Sequence, residues 1–456
     1  MKKELHHPTE KKSGKPSVSP ARRVAFEILQ RVETTEAYAS TLLAAPSNLT
    51  QVDHALAQEI VLGVLRWQGK LDFHIEQLSG RSLYKIDPPV RIALRIGLYQ
   101  LLYLSRIPSS AAVNESVNLV KLARKTSAAA FANAVLRRAA KGIDETAITQ
   151  LADPLDRLAV ETSHPRWLLQ KWLAEFGEAT TTELAMANNQ TPPVAFRVNT
   201  LKASVEETLA AIEATGIQIR PSEIAASAYV VTDGHAAELG RFAAAGAIYI
   251  QDEASQLVAP MLSAKPDSRI LDLCAAPGSK TSHLAALTNN EAQIVACDLH
   301  PHRLAVLQAS CERLDITSVK PITLDATGDL APLAGMRFDR ILVDAPCTGT
   351  GTLRRHPEIK WRIAAQDPER LAQLQIKLLE NAAQLLVEGG RLVYSTCSLE
   401  RQENEEIITH FLERRREFQI IAPVAPARCV TTDGYVRTFP HLHNSDGFFA
   451  AVLEKM

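Results

Sequence analysis

Arg269-Ile-Leu-Asp-Leu-Cys-Ala-Ala-Pro-Gly-Ser-Lys-Thr281 passes from a short β-rich run into a turn of small residues and then into a helical stretch. Small side chains at such a turn let the backbone approach a ligand closely. The helix start presents free N–H groups to an anion such as a carboxylate. The turn lacks the full dinucleotide fingerprint, because Gly278 stands alone and follows Pro277, which suits a pyrophosphate poorly. Around it the period repeats. Gln293–Cys297, Phe338–Val343 and Arg391–Tyr394 are further short β-rich runs, each leading toward a helix. Gly447–Leu453 reads as a terminal strand after a long loop. Regular alternation of this kind predicts a parallel, doubly wound α/β sheet with its ligands at the carboxyl ends of the strands.

Two acidic residues fall at those ends. Asp298 closes the strand after the turn, twenty residues beyond Gly278, where a carboxylate accepts both hydroxyls of a ribose. Asp325 follows the next strand, Val319–Leu324, where it can accept from an adenine amino group. Either one alone reads equally as a strand-end cap. At successive strand ends they suit a nucleoside with a short zwitterionic tail, and S-adenosyl-L-methionine is one. The residues expected around it are Cys274, Ala275, Ala276, Pro277, Gly278, Ser279, Lys280, Asp298 and Asp325.

Two more strands end in unusual loops, Val343-Asp-Ala-Pro-Cys-Thr-Gly-Thr-Gly351 and Val393-Tyr-Ser-Thr-Cys-Ser398. Each brings a cysteine to the ligand edge. Carbon 5 of cytosine is too electron-poor to take an electrophile unaided. A thiolate that adds to C6 makes an enamine, and C5 then becomes nucleophilic; loss of the C5 proton afterwards expels the thiol. Cysteine suits both ends of that sequence, as nucleophile and as leaving group. Asp344 is placed to hydrogen-bond the N3–N4 edge of the base. Amino-group methyltransferases of this fold carry Asn/Asp-Pro-Pro-aromatic at that position, and Asp-Ala-Pro-Cys here points to carbon chemistry. Spacing leaves open which of Cys347 and Cys397 attacks. Cys297, Cys311 and Cys429 read as small buried hydrophobes, and Cys274 as a loop-packing residue.

Upstream the pattern differs. From about residue 21 to 142 apolar residues recur at helical spacing (Phe26, Ile28, Leu29; Ile60, Val61, Val64, Leu65; Val113, Val117, Val120), which predicts five or six helices. Pro88–Pro89 and Pro108 stand where helices should begin. Another helical stretch runs from Pro165 to about Ala187. A small α/β unit follows, with strands at Val194–Asn199, Ile217–Arg220 and Ala228–Thr232 and a helix at Val205–Ala214. The domains expected are a disordered basic arm over 1–20, a helical domain over 21–150, linker helices and the small unit over 151–255, and a catalytic domain over 256–456.

Composition narrows the class. With 46% hydrophobic and 22% charged residues the chain is a globular, soluble type. A net charge of −1 means that any nucleic acid must be held by local basic patches. The six cysteines form no C-x-x-C pair, so neither a disulfide framework nor a metal site is expected, and the reading is a reduced, cytoplasmic protein. The most apolar run, Ile92–Leu104, contains Arg95, and no segment is expected to span a membrane.

Taken in order, Asp272-Leu-Cys-Ala-Ala-Pro-Gly278, Asp344-Ala-Pro-Cys-Thr-Gly-Thr-Gly351, Tyr394-Ser-Thr-Cys-Ser398 and Asp446-Gly-Phe-Phe449 resemble the motifs of RNA cytosine-C5 methyltransferases. Tyr249-Ile-Gln-Asp-Glu-Ala-Ser-Gln256 resembles their entry to the catalytic domain. Val113-Asn-Glu-Ser-Val117 and Phe131-Ala-Asn-Ala-Val-Leu-Arg137 resemble the NusB antitermination fold. The pairing is similar to the bacterial 16S rRNA methyltransferase B group (Fmu/Sun) over nearly the whole chain beyond residue 20. The resemblance implies that Cys397 attacks C6, that Cys347 assists product release, and that Asp344 joins them in catalysis and also joins Cys274 to Lys280, Asp298 and Asp325 in the cofactor and base-edge pocket. It implies 16S ribosomal RNA as partner and a monomer without a metal. Ser279 departs from it, since many relatives carry a second glycine there. Alternative readings are cytosine-C5 methylation of tRNA or another rRNA site, or a non-catalytic antitermination-type RNA-binding protein. Arg354-Arg-His-Pro-Glu-Ile-Lys-Trp-Arg362 is the main candidate for RNA contact. Lys121, Arg124, Lys125, Arg137 and Arg138 form a second one, and Arg197 and Asn199 a third.

Overall fold

The computed structural model describes residues 18–45 and 48–456. The basic arm expected over residues 1–20 lies almost wholly outside the described residues. Backbone proximity divides the chain into two compact units: one runs to Glu178 and includes His356–Glu358, and the other holds the rest.

The first unit is helical. Its opening helices are α1 (Pro20–Thr34), α2 (Ala39–Ala44), α3 (Gln51–Arg66), α4 (Gln68–Ser79), α5 (Pro88–Tyr103), α6 (Ser109–Leu122) and α7 (Ala129–Ala139). That is seven among the described residues, where five or six were expected. The difference has local causes. α2 is too short to show a period, and α3 and α4 are separated only at Trp67, with no proline or glycine to mark the break. Elsewhere the chemistry of the ends is visible: Pro88 opens α5, and the Thr50 hydroxyl accepts from the Asp53 amide at the start of α3. Ile60, Val61, Val64, Leu65, Val113, Val117 and Val120 are all buried in one core. Arg95 is buried too, with one edge of its guanidinium on Asp72, Nε to Oδ1 at 2.6 Å and a terminal nitrogen to Oδ2 at 2.7 Å. No described helix is long and apolar enough to cross a membrane. α8 (Thr146–Thr149), α9 (Pro154–Thr162) and α10 (Arg166–Phe176) complete the unit.

The second unit contains two sheets. α11 (Glu178–Asn188) begins at the boundary, separated from α10 by Gly177 at φ +77°, so the single helical stretch read from sequence is two helices. The smaller sheet has the order β2-β3-β1-β4, all antiparallel, from β1 (Ala195–Val198), β2 (Gln218–Pro221), β3 (Ala228–Asp233) and β4 (Ile248–Ile250). α12 (Val205–Glu213), capped by Ser204, follows β1, and α13 (Leu239–Ala244) precedes β4. β4 has only three residues, too few for an alternation to show in sequence.

The larger sheet has the order β10-β12-β9-β8-β5-β6-β7, with β11 paired to β12. After α14 (Glu253–Gln256) and α15 (Val258–Met261) come β5 (Arg269–Asp272), α16 (Ser279–Leu287), β6 (Gln293–Asp298), α17 (Pro301–Arg313) and β7 (Val319–Thr323). Then follow β8 (Phe338–Asp344), α18 (Ile359–Arg362), α19 (Asp367–Leu385), β9 (Leu386–Thr396), α20 (Glu405–Arg414), β10 (Phe418–Ile420), β11 (Val436–Thr438), α21 (Pro440–His443) and β12 (Phe448–Lys455). Strands β5 to β9 are parallel, as the alternation requires. β10, β11 and β12 are antiparallel, so the sheet is mixed rather than parallel throughout. The reason is connectivity: β12 returns beside β9 from a loop and a short helix, not from a crossover helix. β6 and β7 build to one side of β5, and β8 and β9 to the other. The topological switch therefore lies between β5 and β8, and a crevice opens there at the carboxyl edge.

Helix α3 is held against α5 at Gly63. A methyl group there would come within 1.9 Å of the Tyr99 ring, whose hydroxyl donates to Glu59 at 2.5 Å. Gly63→Ala should destabilise the protein by about 1–3 kcal/mol in urea unfolding despite alanine's better helix propensity, and an unchanged midpoint would contradict this packing.

Candidate active site

Two of the expected loops leave the strands that flank the switch. The first is anchored by backbone: the Leu273 amide donates to the Leu342 carbonyl at 2.9 Å, and the Ala275 amide to Cys297 at 2.7 Å. Gly278 takes φ +102°, and a Cβ there would meet Leu307 at 2.9 Å. Ser279 is already the first residue of α16, so its side chain sits in ordinary helical backbone and the departure from glycine leaves the turn intact. Ala275, Ala276 and Cys274 line this turn, and burial pushes the Cys274 thiol well up.

Lys280 joins the first loop to the second. Its Nζ donates to Asp344 Oδ2 at 2.7 Å and lies 5.1 Å from the centre of the Phe448 ring. Burial alone would lower the ammonium, but the Asp344 carboxylate outweighs it and the pKa lies above its ordinary value. The other oxygen of Asp344 accepts from Ser395 Oγ at 2.8 Å.

Asp298 ends β6 and is 4% exposed. Oδ1 accepts from the His300 amide at 3.0 Å and Oδ2 from the Ala276 amide at 3.3 Å, with Arg303 also 3.3 Å away. Asp325 stands differently. It is exposed at the turn after β7, and Oδ1 accepts from both the amide and the hydroxyl of Thr327, which hold its carboxyl below the usual range.

The two cysteines meet. Cys347 Sγ and Cys397 Sγ are 3.4 Å apart, although the residues are fifty positions apart in sequence. Backbone bonds set this distance: the Gly351 amide donates to the Cys397 carbonyl at 2.9 Å, and the Gly447 amide to the Gly351 carbonyl at 2.8 Å. The bond to Cys397 and burial together push the Cys347 thiol well above its ordinary range. Cys297 is buried with its thiol pushed up to about 12, Cys311 is buried and pushed to about 11, and Cys429 is buried and raised by the same desolvation. No group of residues able to hold a metal is found among the described residues.

Among the buried carboxylates that were not singled out in the sequence are Asp272 and Glu403. Asp272 ends β5; Oδ2 accepts from Thr281 Oγ1 at 2.7 Å, while Oδ1 is buried with no partner. Burial pushes its carboxyl up to about 7. The signal was present, since Asp272 heads the quoted motif. Glu403 is the second, and a charge in a turn two residues before a helix carries no sign of burial.

The candidate RNA contacts divide. Lys121, Arg124, Arg137 and Arg138 are exposed. Arg197 is not: it is 1% exposed, with Nε on Gln251 and a terminal nitrogen 2.8 Å from Ser282 Oγ. Asn199 is equally buried and donates to the carbonyls of Gly246 and Leu314 at 2.9 Å. In the 354–362 segment Arg354 and Lys360 are interior, bonded to Asn444 and Asn189 at 3.1 Å. Arg355 bridges Asp252 at 2.6 Å and Asp446 at 2.8 Å. These cations hold the fold, because the carboxylates and carbonyls around them take up their donors.

The chain's relatives fit this architecture. The model of a family described as 16S rRNA methyltransferase RsmB/F matches residues 259–454. The NusB family matches 19–141, and a family described as the ferredoxin-like domain of RsmF/B-like methyltransferases matches 164–237. Fold and loops thus define an RNA methyltransferase with a NusB-type helical domain. A Bacillus subtilis protein named "Probable ribosomal RNA small subunit methyltransferase B" is 35% identical over 95% of this chain and 98% of its own. A Pseudomonas putida protein named "Ribosomal RNA small subunit methyltransferase B" is 38% identical over 82% of this chain and 84% of its own. The solved structure of a methyltransferase homolog protein from Pyrococcus horikoshii is 30% identical, with a TM-score of 0.59 over 67% of this chain and 100% of that one. The chain belongs to the 16S rRNA methyltransferase RsmB/F family.

Asp272 makes the site pH-sensitive. A carboxyl raised from 3.8 to about 7 by folding keeps its proton longer in the native state. The native state then binds more protons than the unfolded chain between about pH 4 and 7, so this group's contribution to stability falls as pH rises through that window. Asp272→Asn should therefore stabilise the ligand-free protein more at pH 8 than at pH 5 in urea unfolding, the difference being on the order of a few kcal/mol at most. A difference between variant and parent that does not change with pH would remove Asp272 as the titrating group.

Proposed function

We propose that the protein methylates carbon 5 of a cytosine in 16S ribosomal RNA, with S-adenosyl-L-methionine as donor and a covalent bond between Cys397 and C6 as intermediate. The observation that carries this is the thiol pair, 3.4 Å apart at the carboxyl edge of the sheet beside Asp344. A non-catalytic RNA-binding protein has no use for two loop thiols held together.

The residues of the first loop fit the donor. An orphaned, fully buried Asp272 Oδ1 calls for a cationic or N–H partner, which a methionine ammonium supplies. Cys274 to Lys280 offer small side chains and the start of α16 to its carboxylate. Asp298 would take the ribose hydroxyls, displacing Arg303, and Asp325 would offer Oδ2 to the adenine amino group. When bound, the donor supplies an electrophilic methyl group on a sulfonium.

The protein's own groups do the rest. Asp344, held by Lys280 and Ser395, would accept from the N3–N4 edge of cytosine and so favour the N3-protonated ring, which is the more electrophilic at C6. Cys397 thiolate adds to C6, and the C5–C6 π pair becomes available at C5. Once C5 is methylated, a base takes its proton; the C–H pair rebuilds the double bond and the C6–S bond breaks. Cys347, kept protonated by its bond to Cys397 and by burial, donates to the departing sulfur and so assists release. Residues 256–456 would perform this chemistry, 21–150 would hold RNA, and 151–255 would join them. We expect a cytoplasmic monomer.

Substituting each cysteine separates the roles. Cys397→Ala should lose turnover and form no protein–RNA adduct. Cys347→Ala should attack and methylate, then stall, leaving a band that survives denaturing electrophoresis with labelled RNA. An adduct from Cys397→Ala would reverse the assignment, and near-normal turnover in Cys347→Ala would make Cys347 a packing residue.

A further inference from the structure

One carboxylate stands behind both thiols. Glu403, in the turn between β9 and α20, is fully buried. Its Oε1 accepts from the Thr348 amide at 2.9 Å and from Gln375 Nε2 at 3.0 Å. Its Oε2 accepts from Ser398 Oγ at 2.5 Å and from the Thr348 hydroxyl. Thr348 follows Cys347 and Ser398 follows Cys397, so the same group is bonded to the residue after each sulfur. Thr348 Oγ1 and Ser398 Oγ are themselves 3.1 Å apart. Gln375 Nε2 also donates to the Pro346 carbonyl at 3.0 Å, which secures the cluster to α19, and the Tyr394 hydroxyl donates to the Glu403 carbonyl at 2.6 Å.

Burying a carboxylate costs free energy that these four donors offset, and an apolar side chain would fill the space without that cost. The reaction proposed above takes no proton from Glu403 and brings no substrate to it. What the carboxylate does is join two loops whose sulfurs must converge on one pyrimidine, where misplacement by an ångström costs orders of magnitude in rate.

We propose that Glu403 is the positioning residue of the thiol pair, tying the Cys347 loop to the Cys397 loop through Thr348 and Ser398. This rests on the reading that Cys397 attacks C6 and Cys347 assists release. The carboxylate also acts by charge in the same sense, because it adds to the bond and the burial that keep the Cys347 thiol protonated.

Thiol–disulfide exchange reads the position directly. The full-length protein is equilibrated with mixtures of oxidised and reduced glutathione. One thiolate displaces reduced glutathione to give a mixed disulfide, and the second thiolate expels another, so the probe takes both electrons. Peptide mass spectrometry then measures the Cys347–Cys397 disulfide and its effective concentration. Glu403→Ala should lower that value at least tenfold. Glu403→Gln keeps all four contacts, its amide oxygen accepting on one side and its amide nitrogen donating to the two hydroxyls, and should restore closure to within about threefold. Closure in Glu403→Ala equal to that of the parent, or equal loss in both variants, would overturn the proposal. Should Glu403→Ala fail to fold, Ser398→Ala cuts the tie on the Cys397 side alone and should lower closure severalfold; parental closure there overturns it equally. RNA carrying 5-fluorocytidine tests the parent reading separately, since C5 fluorine cannot leave as a proton does. Absence of a Cys397 adduct with the unsubstituted protein would sink that reading without touching the closure result.

Discussion

The Gly351 amide bonded to the Cys397 carbonyl, with the Gly351 carbonyl bonded in turn to Gly447, is the constraint on which the site depends. Three loops, distant in sequence, are laid side by side by these backbone bonds. No side chain fits between them: a Cβ on Gly351 would come within 2.0 Å of the Gly447 carbonyl oxygen. A glycine here is needed for approach rather than for a left-handed turn. This contact sets the loops after β8 and β9 side by side, so that the cysteine each presents meets the other with the sulfurs 3.4 Å apart.

Charge organises what backbone brings together. The crevice holds Asp272, Asp298 and Asp344 around one buried lysine. Three carboxylates in a low-dielectric site repel one another. Lys280 answers Asp344, and Arg303 and two amides answer Asp298. Asp272 has no cation bonded to it, and burial pushes its carboxyl up to about 7 against the Thr281 hydroxyl that holds Oδ2. Asp344 is committed to Lys280 and Ser395, while Cys347 has Cys397 as its partner.

Much of this was legible in the chain, and what was missed has physical reasons. The alternation of β-rich and helical segments predicts β5 to β9 because a crossover helix imposes parallel pairing. It says nothing of β12, whose approach from a loop makes it antiparallel. The cysteine loops are recognisable from Asp-Ala-Pro-Cys and Ser-Thr-Cys-Ser, and their convergence follows from both strands ending at one sheet edge. Their separation does not, since it depends on a Gly351–Gly447 contact between distant loops. The basic residues misled most. Arg354 and Lys360 read as an RNA grip after the Pro-Cys loop and Arg197 as a separate contact in the small unit, yet each is buried against polar groups of its own unit. A run of cations in sequence carries no sign of which neighbours will take their donors. Glu403 shows the converse, an acidic residue that reads as surface and is wholly interior.

The central claim concerns which atom receives the methyl group, and nucleoside analysis of the modified RNA tests it most directly. The purified protein is incubated with unmodified 16S ribosomal RNA and S-adenosyl-L-methionine carrying an isotopically labelled methyl group, and the RNA is digested and mapped by mass spectrometry. The account predicts label in 5-methylcytidine at a single position. Label on a cytosine amino group or a ribose, or a 16S RNA left unlabelled while transfer RNA is modified, would contradict it.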